Sequence, residues 1–423
     1  MNAAQRFQLY LKQLKQPFIK LCRMRFLYPD GTTAFALDNN PYNRRSGAFI
    51  QSGQLTVNLQ NGQRRSASVK LSNLDGAYDY NVNRVWFGQQ IALDEGLVLP
   101  DGSEFYLPQG VFYVSDPTET FKPGEKTADY NLVDKWAYLD GTLFGNLEGA
   151  YEVPIGTDVF QAIRSILLLP RGNGYPVDGT EPIFTTYYDG RSQGLPNGST
   201  ALIRNTPYTY REDSDSATYA NLIENLAGML AAWIGYDQTG AFRLDPSQDD
   251  ILDATKAVQW AFTPENSDFL GATYTVKNTE VYNDIIVYGE TTDDNAQPAA
   301  RVQNLDPSSD TNVYKIGKKT KRLAGSGFYT ERLCEDYGVW KLKRMTVLQK
   351  AVSISCQQIF HINENELVTI TRTDKPGAPV ERHLVQGFSR PLTQTGEMTI
   401  SAVSTADFPI ATVFPWPPET ASA

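Results

Sequence analysis

The sequence predicts an α+β protein that is mostly β, in which two antiparallel β regions flank a helix-containing insert. Apolar residues alternate with polar ones along the first and last thirds of the chain, and after Gly141 the apolar spacing changes to three or four residues. Aromatic residues make up 12% of the 423 residues and charged residues only 20%, a composition that favours half-buried strands. This length predicts two or three domains.

Residues 1–20 predict an N-terminal helix that Pro17 ends or kinks. We expect its apolar face to pack on the core, although docking on a neighbouring subunit remains open. A helix lying on a membrane has little support, because only three cations mark its polar face. The apolar positions are Phe7, Leu11, Leu14 and Phe18, and the cations are Arg6, Lys12 and Lys15.

Residues 21–140 predict the first antiparallel β domain, a barrel or a sandwich. Pro-Asp-Gly separates two apolar runs within 26–35 and again within 97–107, and Asn61-Gly62 separates two alternating segments, so three turns are predicted. Further strands are predicted at Gln90–Leu93, Val111–Val114 and Thr127–Val133.

Residues 141–257 predict the insert domain. Thr157 and Asp158 precede a helix of about twelve residues that ends before Pro170. A longer helix is predicted from Ser216 to Ile234, with Gly235 as its stop, followed by a strand with a turn at Thr239-Gly240. Residues 171–212 predict ordered loops with a small hairpin.

Residues 258–408 predict the second β domain, interrupted by one helix at Thr330–Arg344. Residues 293–310 predict a polar loop, and the proline-rich segment 409–423 predicts a tail that is disordered or lies on a partner. The predicted strands are Thr273–Val276, Asp284–Tyr288, Ala351–Ser355, Leu367–Thr371, Arg382–Phe388 and Met398–Val403.

The net charge and the numbers of histidines and cysteines argue against several functional classes. The net charge of −10 argues against a surface that neutralises nucleic-acid phosphates or anionic lipid. Two histidines leave little material for zinc cages or histidine-based hydrolases. The unpaired spacing of Cys22, Cys334 and Cys356 predicts free thiols and a reducing compartment of assembly. The longest apolar run has ten residues, about half of a membrane span, and no secretion signal is visible.

Few residues invite a catalytic interpretation, and we predict no catalytic, cofactor-binding or metal-ligating residue. Nucleotide-binding glycine loops and the Gly-x-Ser-x-Gly elbow are absent from the sequence. Acidic pairs of the kind used by glycosidases are better interpreted as solvated loops, and the segment 245–250 as a turn rather than a calcium site. The pairs are Asp249 with Asp250, Asp293 with Asp294, and Glu364 with Glu366.

His361 and His383 are interpreted as ordinary sheet positions, because each lies among alternating apolar residues. Exposed tyrosines would suit a sugar-binding platform, but the sequence does not choose among the candidates. These are Tyr187, Tyr188, Tyr208 and Tyr210.

The domain order and five sequence phrases resemble phage tail and baseplate hub proteins, namely the hub of contractile-tailed phages and the N-terminal hub part of the tail-associated protein of long-tailed phages of Gram-positive hosts. The phrases contain structural residues without catalytic groups. They are Val69–Tyr80, Leu107–Val114, Val133–Gly141, Leu226–Leu244 and Tyr282–Gly289.

The resemblance implies a homotrimeric ring whose two barrel-like domains, at about 48–140 and 260–405, give pseudo-sixfold symmetry. Its implied partners are the tail tube or distal tail protein, the tape-measure protein, and spike, fibre or receptor-binding proteins. DNA would be transient cargo in the lumen, with no membrane insertion, in a virion assembled in the host cytoplasm. Because no fibre, needle or peptidoglycan hydrolase follows, we expect no lytic activity. The alternatives are an adsorption protein that recognises cell-wall polysaccharide and a cell-wall glycosidase.

Overall fold

The computed structural model shows a mostly β protein built on one large sheet. It describes residues 2–40, 48–59, 62–79, 88–171, 174–184, 192–194, 200–202, 204–212, 216–230, 232–246, 256–275, 281–291, 297–324, 328, 330–347, 351–404 and 410–415.

The helices are α1 (Ala3–Gln13), α2 (Val159–Leu167), α3 (Tyr219–Met229), α4 (Val313–Ile316) and α5 (Glu331–Val347), with a 3-10 helix at Lys135–Tyr138. The strands of the first β region are β1 (Lys20–Leu27), β2 (Thr33–Asp38), β3 (Ala48–Asn58), β4 (Arg65–Asn73), β5 (Gln90–Val98), β6 (Glu104–Val114), β7 (Thr118–Lys122) and β8 (Glu125–Asp134). Those of the insert are β9 (Tyr151–Val153), β10 (Ile183–Phe184), β11 (Ser192–Gly194), β12 (Thr200–Leu202), β13 (Tyr210–Glu212), β14 (Ala232–Tyr236) and β15 (Phe242–Pro246). The last third contains β16 (Val258–Phe262), β17 (Phe269–Thr275), β18 (Asp284–Tyr288), β19 (Ala299–Asn304), β20 (Thr320–Ala324), β21 (Ala351–Cys356), β22 (Leu367–Thr371), β23 (Val380–Pro391), β24 (Met398–Ser404) and β25 (Ala411–Pro415).

A 14-stranded sheet joins the two predicted β regions. Its path is β17-β21-β24-β23-β3-β4-β8-β6-β5-β1-β2, and off this path β22 pairs with β23, β16 with β22, and β7 with β8. Antiparallel pairing of β3 with β23, which sets Val57 opposite Phe388, is the junction. Both halves bury their side chains in a single hydrophobic core. The predicted mostly β, α+β class is therefore confirmed.

The predicted turns follow from local chemistry. Gly31 and Gly102 adopt positive φ in the two Pro-Asp-Gly turns, where Asp30 and Asp101 accept backbone hydrogen bonds two residues on. The β3–β4 hairpin has the predicted pairing, and Gly62 also has positive φ, whereas Asn61 lies outside the described residues.

Helix α1 lies within the segment predicted as a helix and packs on the core, but it ends at Gln13, before Pro17. Asn2 caps its first turn in a reciprocal capping box with Gln5. Tyr10 is fully buried, whereas Phe7 and Leu11 of the predicted stripe are only partly buried against the core. The buried hydroxyl of Tyr10 is satisfied by hydrogen bonds with the His361 ring and the Phe360 N–H.

The insert has its own core between α2, α3 and the β14–β15 hairpin. Helix α2 begins after Asp158, as predicted. The predicted continuation of α3 to Ile234 is wrong, because residues 232–236 form β14 and pair with β15. In that strand Trp233 packs with Trp340 in another cluster, away from the core that buries Ile234. The alternating burial of a strand therefore replaces the helical stripe.

A four-stranded sheet, β20-β18-β19-β25, packs on α5 as a further unit. Two predictions are wrong here. Residues 299–304, assigned to a polar loop, form β19, because Ala300 and Val302 are buried under α5. Residues 411–415, assigned to a tail that is disordered or lies on a partner, form β25 and pair with β19 of the same chain.

Candidate functional site

A charged cleft of about 340 Å³ lies where the first β region, the insert and the last third of the chain meet. It contains Glu364 and Glu366, one of the three acidic pairs considered from the sequence. The pairs 249–250 and 293–294 lie outside the described residues. The cleft is also lined by Arg64, Asp237, Gln238, Arg243, Asp245, Lys256, Gln259, Asn363 and Asn365.

Two neighbouring arginines reach into this junction from the start of β4. Both are almost fully buried. Arg65 forms an ion pair with Glu364 and donates to the Gln109 carbonyl at 3.0 Å. Arg64 lies with its Nη1 3.9 Å from Glu364 Oε1 and donates from Nε to the Ile234 carbonyl at 2.9 Å. The pair of arginines therefore connects all three parts of the chain.

Local backbone geometry makes room for this contact. Gly235 has a φ of +148°, and a side chain there would collide with Arg64. Asp134 holds the two arginines in place, since its Oδ2 accepts the backbone N–H of both Arg64 and Arg65 at 2.9 Å. Its Oδ1 accepts the N–H of Trp136 at 3.0 Å and so caps the 3-10 helix. These hydrogen bonds lower the pKa of Asp134, but burial outweighs them and raises that pKa to about 6.

The two glutamates of the cleft have different surroundings. Burial raises the pKa of Glu366 to about 7, although its carboxylate accepts the Asn363 N–H at 2.7 Å. Glu364 instead faces two buried guanidinium groups: Arg65 donates a hydrogen bond to its Oε2, and Arg64 Nη1 lies 3.9 Å from its Oε1. A glycosidase nucleophile must present a carboxylate to the sugar. This arrangement instead suits a structural ion pair that joins the start of β4 to the segment before β22.

A second buried charge cluster lies inside the large sheet. Glu95 on β5 pairs with Arg390 on β23 and, at 2.6 Å, with Lys20 on β1. Arg390 also donates to the Ile359 carbonyl at 2.6 Å and to Gln109 at 2.6 Å. Both halves of the sheet thus contribute to one network.

The histidines have structural roles in the described chain. His383 is a sheet position in β23, paired with Val368, as predicted. The same prediction for His361 is wrong, because this residue lies in the irregular segment between β21 and β22. Its Nδ1 is 3.0 Å from the Tyr10 hydroxyl, which also accepts the Phe360 N–H at 3.0 Å, so the segment serves to dock α1.

The remaining predicted groups are spread over the molecule. All three cysteines are buried free thiols, as predicted. Tyr208 and Tyr210 are half-buried, while Tyr187 and Tyr188 lie outside the described residues. Among the described residues, no His, Cys, Asp or Glu side chains form a group of three suited to a metal ion.

In the part of the chain that the structure describes, no helix has the length and apolar character needed to span a membrane.

Solved structures resemble this architecture, whereas no family model and no curated protein matches the sequence. The 43 kDa tail protein of prophage MuSo2 from Shewanella oneidensis superposes with a TM-score of 0.55 at 13% identity, over 91% of this chain and 98% of that one. A tail protein from Neisseria meningitidis MC58 gives 0.55 at 8% identity, over 93% and 98%. Prophage tail protein gp18 from Listeria monocytogenes EGD-e gives 0.52 at 10% identity, over 90% and 94%. The chain has the fold of phage tail proteins.

The phage tail fold confirms the resemblance inferred from the sequence at the level of the fold. Three of the five sequence phrases have the following positions in the structure. Leu107–Val114 belongs to β6, and Val133–Gly141 contains Asp134, which holds the two arginines. Tyr282–Gly289 contains β18, the strand between β19 and β20. These three phrases therefore coincide with strands of the two sheets and with the 3-10 helix.

Proposed function

We propose that the protein is a structural, non-enzymatic component of a phage tail tip or baseplate. In this proposal it is a homotrimeric hub ring that connects the tail tube or distal tail protein to the spike, fibre or receptor-binding apparatus. The observation that carries the proposal is the phage tail fold, which extends over at least 90% of this chain and of each of the three solved tail proteins.

The internal charge networks support a mechanical role. A connector must keep its shape while forces pass between its two faces. Buried ion pairs that join distant segments oppose relative movement, because separating them leaves uncompensated charges in the core. Glu95 with Arg390 joins the two halves of the sheet. Arg64, which faces Glu364, donates a hydrogen bond to the Ile234 carbonyl and so joins them to the insert.

The charge of the chain supports a channel that DNA can traverse. Each chain carries a net charge of −10, and three copies in a ring would present an acidic assembly. An acidic lumen repels phosphates, so the genome would slide without adhering. Neutralising acids that line the lumen should slow DNA ejection at low salt, and an unchanged ejection rate would refute this part of the proposal.

Labelling of particles tests the location. An epitope-tagged copy is expressed in the producing strain, and purified particles are examined by immunogold electron microscopy. We expect label at the distal end of the tail, next to the tip. Label on the head or along the tube, or particles without label, would overturn the proposal.

Native mass spectrometry of the purified chain at tens of micromolar tests the ring itself. We expect a mass of three chains, and dilution should reveal dissociation by mass action. A stable dimer or a persistent monomer over this range would argue against a homotrimeric hub.

A further inference from the structure

A basic surface lies at one end of the four-stranded sheet. Residues 311–330 contain five cations and no acidic residue, in a chain whose net charge is −10. One of them, Lys315, interacts electrostatically with the carboxylate of Asp306. The other four are on β20 or directly before it, and β20 is the end strand in the order β20-β18-β19-β25. This surface, the basic edge, comprises the exposed Lys318 and Arg322 and the half-buried Lys319 and Lys321.

The neighbouring strand β18 does not neutralise the basic edge. Its one acidic residue, Asp284, lies opposite Thr320 in the parallel pairing of β18 with β20. Both oxygens of this carboxylate accept from Arg301, Oδ1 from Nε and Oδ2 from Nη2, each at 2.8 Å. Lys321 Nζ lies 5.2 Å from the centre of the Tyr282 ring, a contact that favours the charged ammonium group. Arg301 therefore balances Asp284, and the basic edge keeps its positive charge.

Strand β20 also has an open backbone edge. Its residues pair with β18 on one side, from Thr320 opposite Asp284 to Ala324 opposite Tyr288. On the other side, no strand within the described residues pairs with it. The outer row of backbone N–H and C=O groups of such a strand can pair with an extended segment of another chain.

Protection of the open edge does not explain these cations. Lysine on an end strand can prevent unwanted pairing with other chains. The strands β2, β17 and β25 also end sheets in this structure, and they contain no lysine or arginine. The cations are thus particular to β20 among these four end strands. An acidic partner accounts for them, because opposite charges on adjacent strands stabilise the pairing.

Apolar groups lie beside the basic edge. Tyr314 in α4 is 82% exposed, and Ile316 at the end of the same short helix is also exposed. Gly317 follows with positive φ and accepts a hydrogen bond from the Asn283 side chain, which joins this end of α4 to the residue before β18. Tyrosine together with cationic groups is typical of surfaces that bind other proteins.

We propose that the basic edge binds an extended acidic segment of a partner protein, which adds to β20 as a fifth strand of the sheet. Backbone hydrogen bonds provide the pairing, and the four cations select a segment rich in aspartate or glutamate. Double-stranded DNA is the other polyanion that cations attract, but the net charge of the chain and the strand geometry favour a peptide. A single copy of the four-stranded sheet is sufficient, so the contact goes beyond the proposed ring and does not depend on it.

Fluorescence anisotropy with two peptides of equal charge tests strand addition. The first is a fluorescein-labelled peptide of four Glu-Thr repeats, and the second is the same peptide with every backbone nitrogen methylated. We expect saturable binding of the first peptide and at least tenfold weaker binding of the second, because the second has no backbone donor. Equal binding of both peptides, or no binding of the first up to about 1 mM, would overturn the proposal.

Charge reversal tests the role of the cations. The variant Lys321→Glu with Arg322→Glu should bind the Glu-Thr peptide at least tenfold more weakly than the native chain. Its matched control is Lys12→Glu with Lys15→Glu, which changes the net charge equally at two exposed lysines of the N-terminal segment and should leave binding within about twofold. Circular dichroism and thermal unfolding verify that both variants are folded. An equal loss in both variants would show that the overall charge, and not the basic edge, governs binding.

Hydrogen exchange locates the contact on the native chain and needs no variant. With saturating Glu-Thr peptide, we expect amides of β20 to exchange at least tenfold more slowly, because an added strand covers the open edge. Amides of β25, at the opposite end of the same sheet, should exchange at their original rate. Unchanged exchange in β20 would contradict strand addition.

A labelled DNA duplex of about 20 base pairs distinguishes the other polyanion. We expect no binding of this duplex by the native chain at physiological salt. Binding of the duplex that the β20 charge reversal abolishes, without binding of the Glu-Thr peptide, would identify a nucleic-acid surface and overturn the proposal.

Discussion

Arg390 on β23 and Glu95 on β5 form an ion pair inside the core, with Arg390 Nε 2.8 Å from Glu95 Oε2 and neither side chain exposed. Burial alone would raise the pKa of Glu95, but the charges of Arg390 and Lys20 outweigh it and hold that pKa below its ordinary value. The Glu95 carboxylate therefore stays charged in the folded protein. The stability of the fold then depends on keeping Arg390 and Lys20 beside this charge.

Arg390→Met should destabilise the protein by about 3–5 kcal/mol, because it leaves part of the Glu95 charge uncompensated in the core. Urea denaturation measures the loss. The control is the triple variant Lys20→Met, Glu95→Leu, Arg390→Met, which removes every charge of the cluster and should cost less than the single change. A loss below about 1 kcal/mol for the single variant would contradict a structural role for this pair.

Glu366→Gln should change how stability depends on pH. The folded pKa is about 7, above the ordinary value of about 4.3, so the folded protein binds more protons than the unfolded chain between these values. The stability contributed by Glu366 is fully present below about pH 4.3 and is lost as the pH rises through 7. The glutamine variant should therefore gain up to about 3 kcal/mol relative to the native protein between pH 4 and pH 8.

Urea denaturation across this pH range measures the difference between the two proteins. Asp134, whose pKa is also raised, is present in both and cancels from the comparison. Parallel stability profiles would show that Glu366 has an ordinary pKa.

Protonation of the histidines should destabilise the protein below neutrality. Burial lowers the pKa of both His361 and His383 to about 4, below the ordinary value of about 6.5. Their contribution is present above pH 6.5 and is lost as the pH falls through 4. Because the chain has two histidines, NMR of isotope-labelled histidine should show both imidazoles neutral at pH 5.5.

Tyr10→Phe gives a local control for His361. It removes the hydroxyl between the His361 ring and the Phe360 N–H, and we expect a cost of about 1–3 kcal/mol. The His361 signal should shift while the His383 signal stays in place. Movement of both signals, or of neither, would contradict the assigned contact.

Alternating apolar residues and turn residues predicted many strands and turns, because these elements depend mainly on residues that are neighbours in sequence. Asp284–Tyr288 and Leu367–Thr371 have the predicted bounds, since both are short apolar runs between turn residues. Strand β19 was missed because its polar composition resembles a loop, and only pairing and the cover of α5 bury it. The end of α3 was missed because Trp233 fits a helical stripe as well as a strand.

The site depends on residues far apart in sequence, which explains why local patterns did not find it. Glu364 was identified as part of an acidic pair, but its partners Arg64 and Arg65 lie near the other end of the chain. Glu95 and Arg390 are separated by 295 positions. Only the tertiary fold brings such groups together. Two of the sequence phrases also contain residues of this junction: Val133–Gly141 contains Asp134, and Leu226–Leu244 contains Ile234 and Gly235.

Removal of β25 should loosen the four-stranded sheet. A chain that ends at Ile410 lacks residues 411–415, so β19 loses the partner that sets Val413 opposite Val302. We expect amides of β19 that faced β25 to exchange at least tenfold faster in hydrogen-exchange mass spectrometry, because the edge becomes open to water. A chain that ends at Pro415 keeps β25 and is the matched control. The β3–β23 junction belongs to another sheet and should retain its protection. Equal protection of β19 in both truncated chains would show that β25 does not stabilise this sheet.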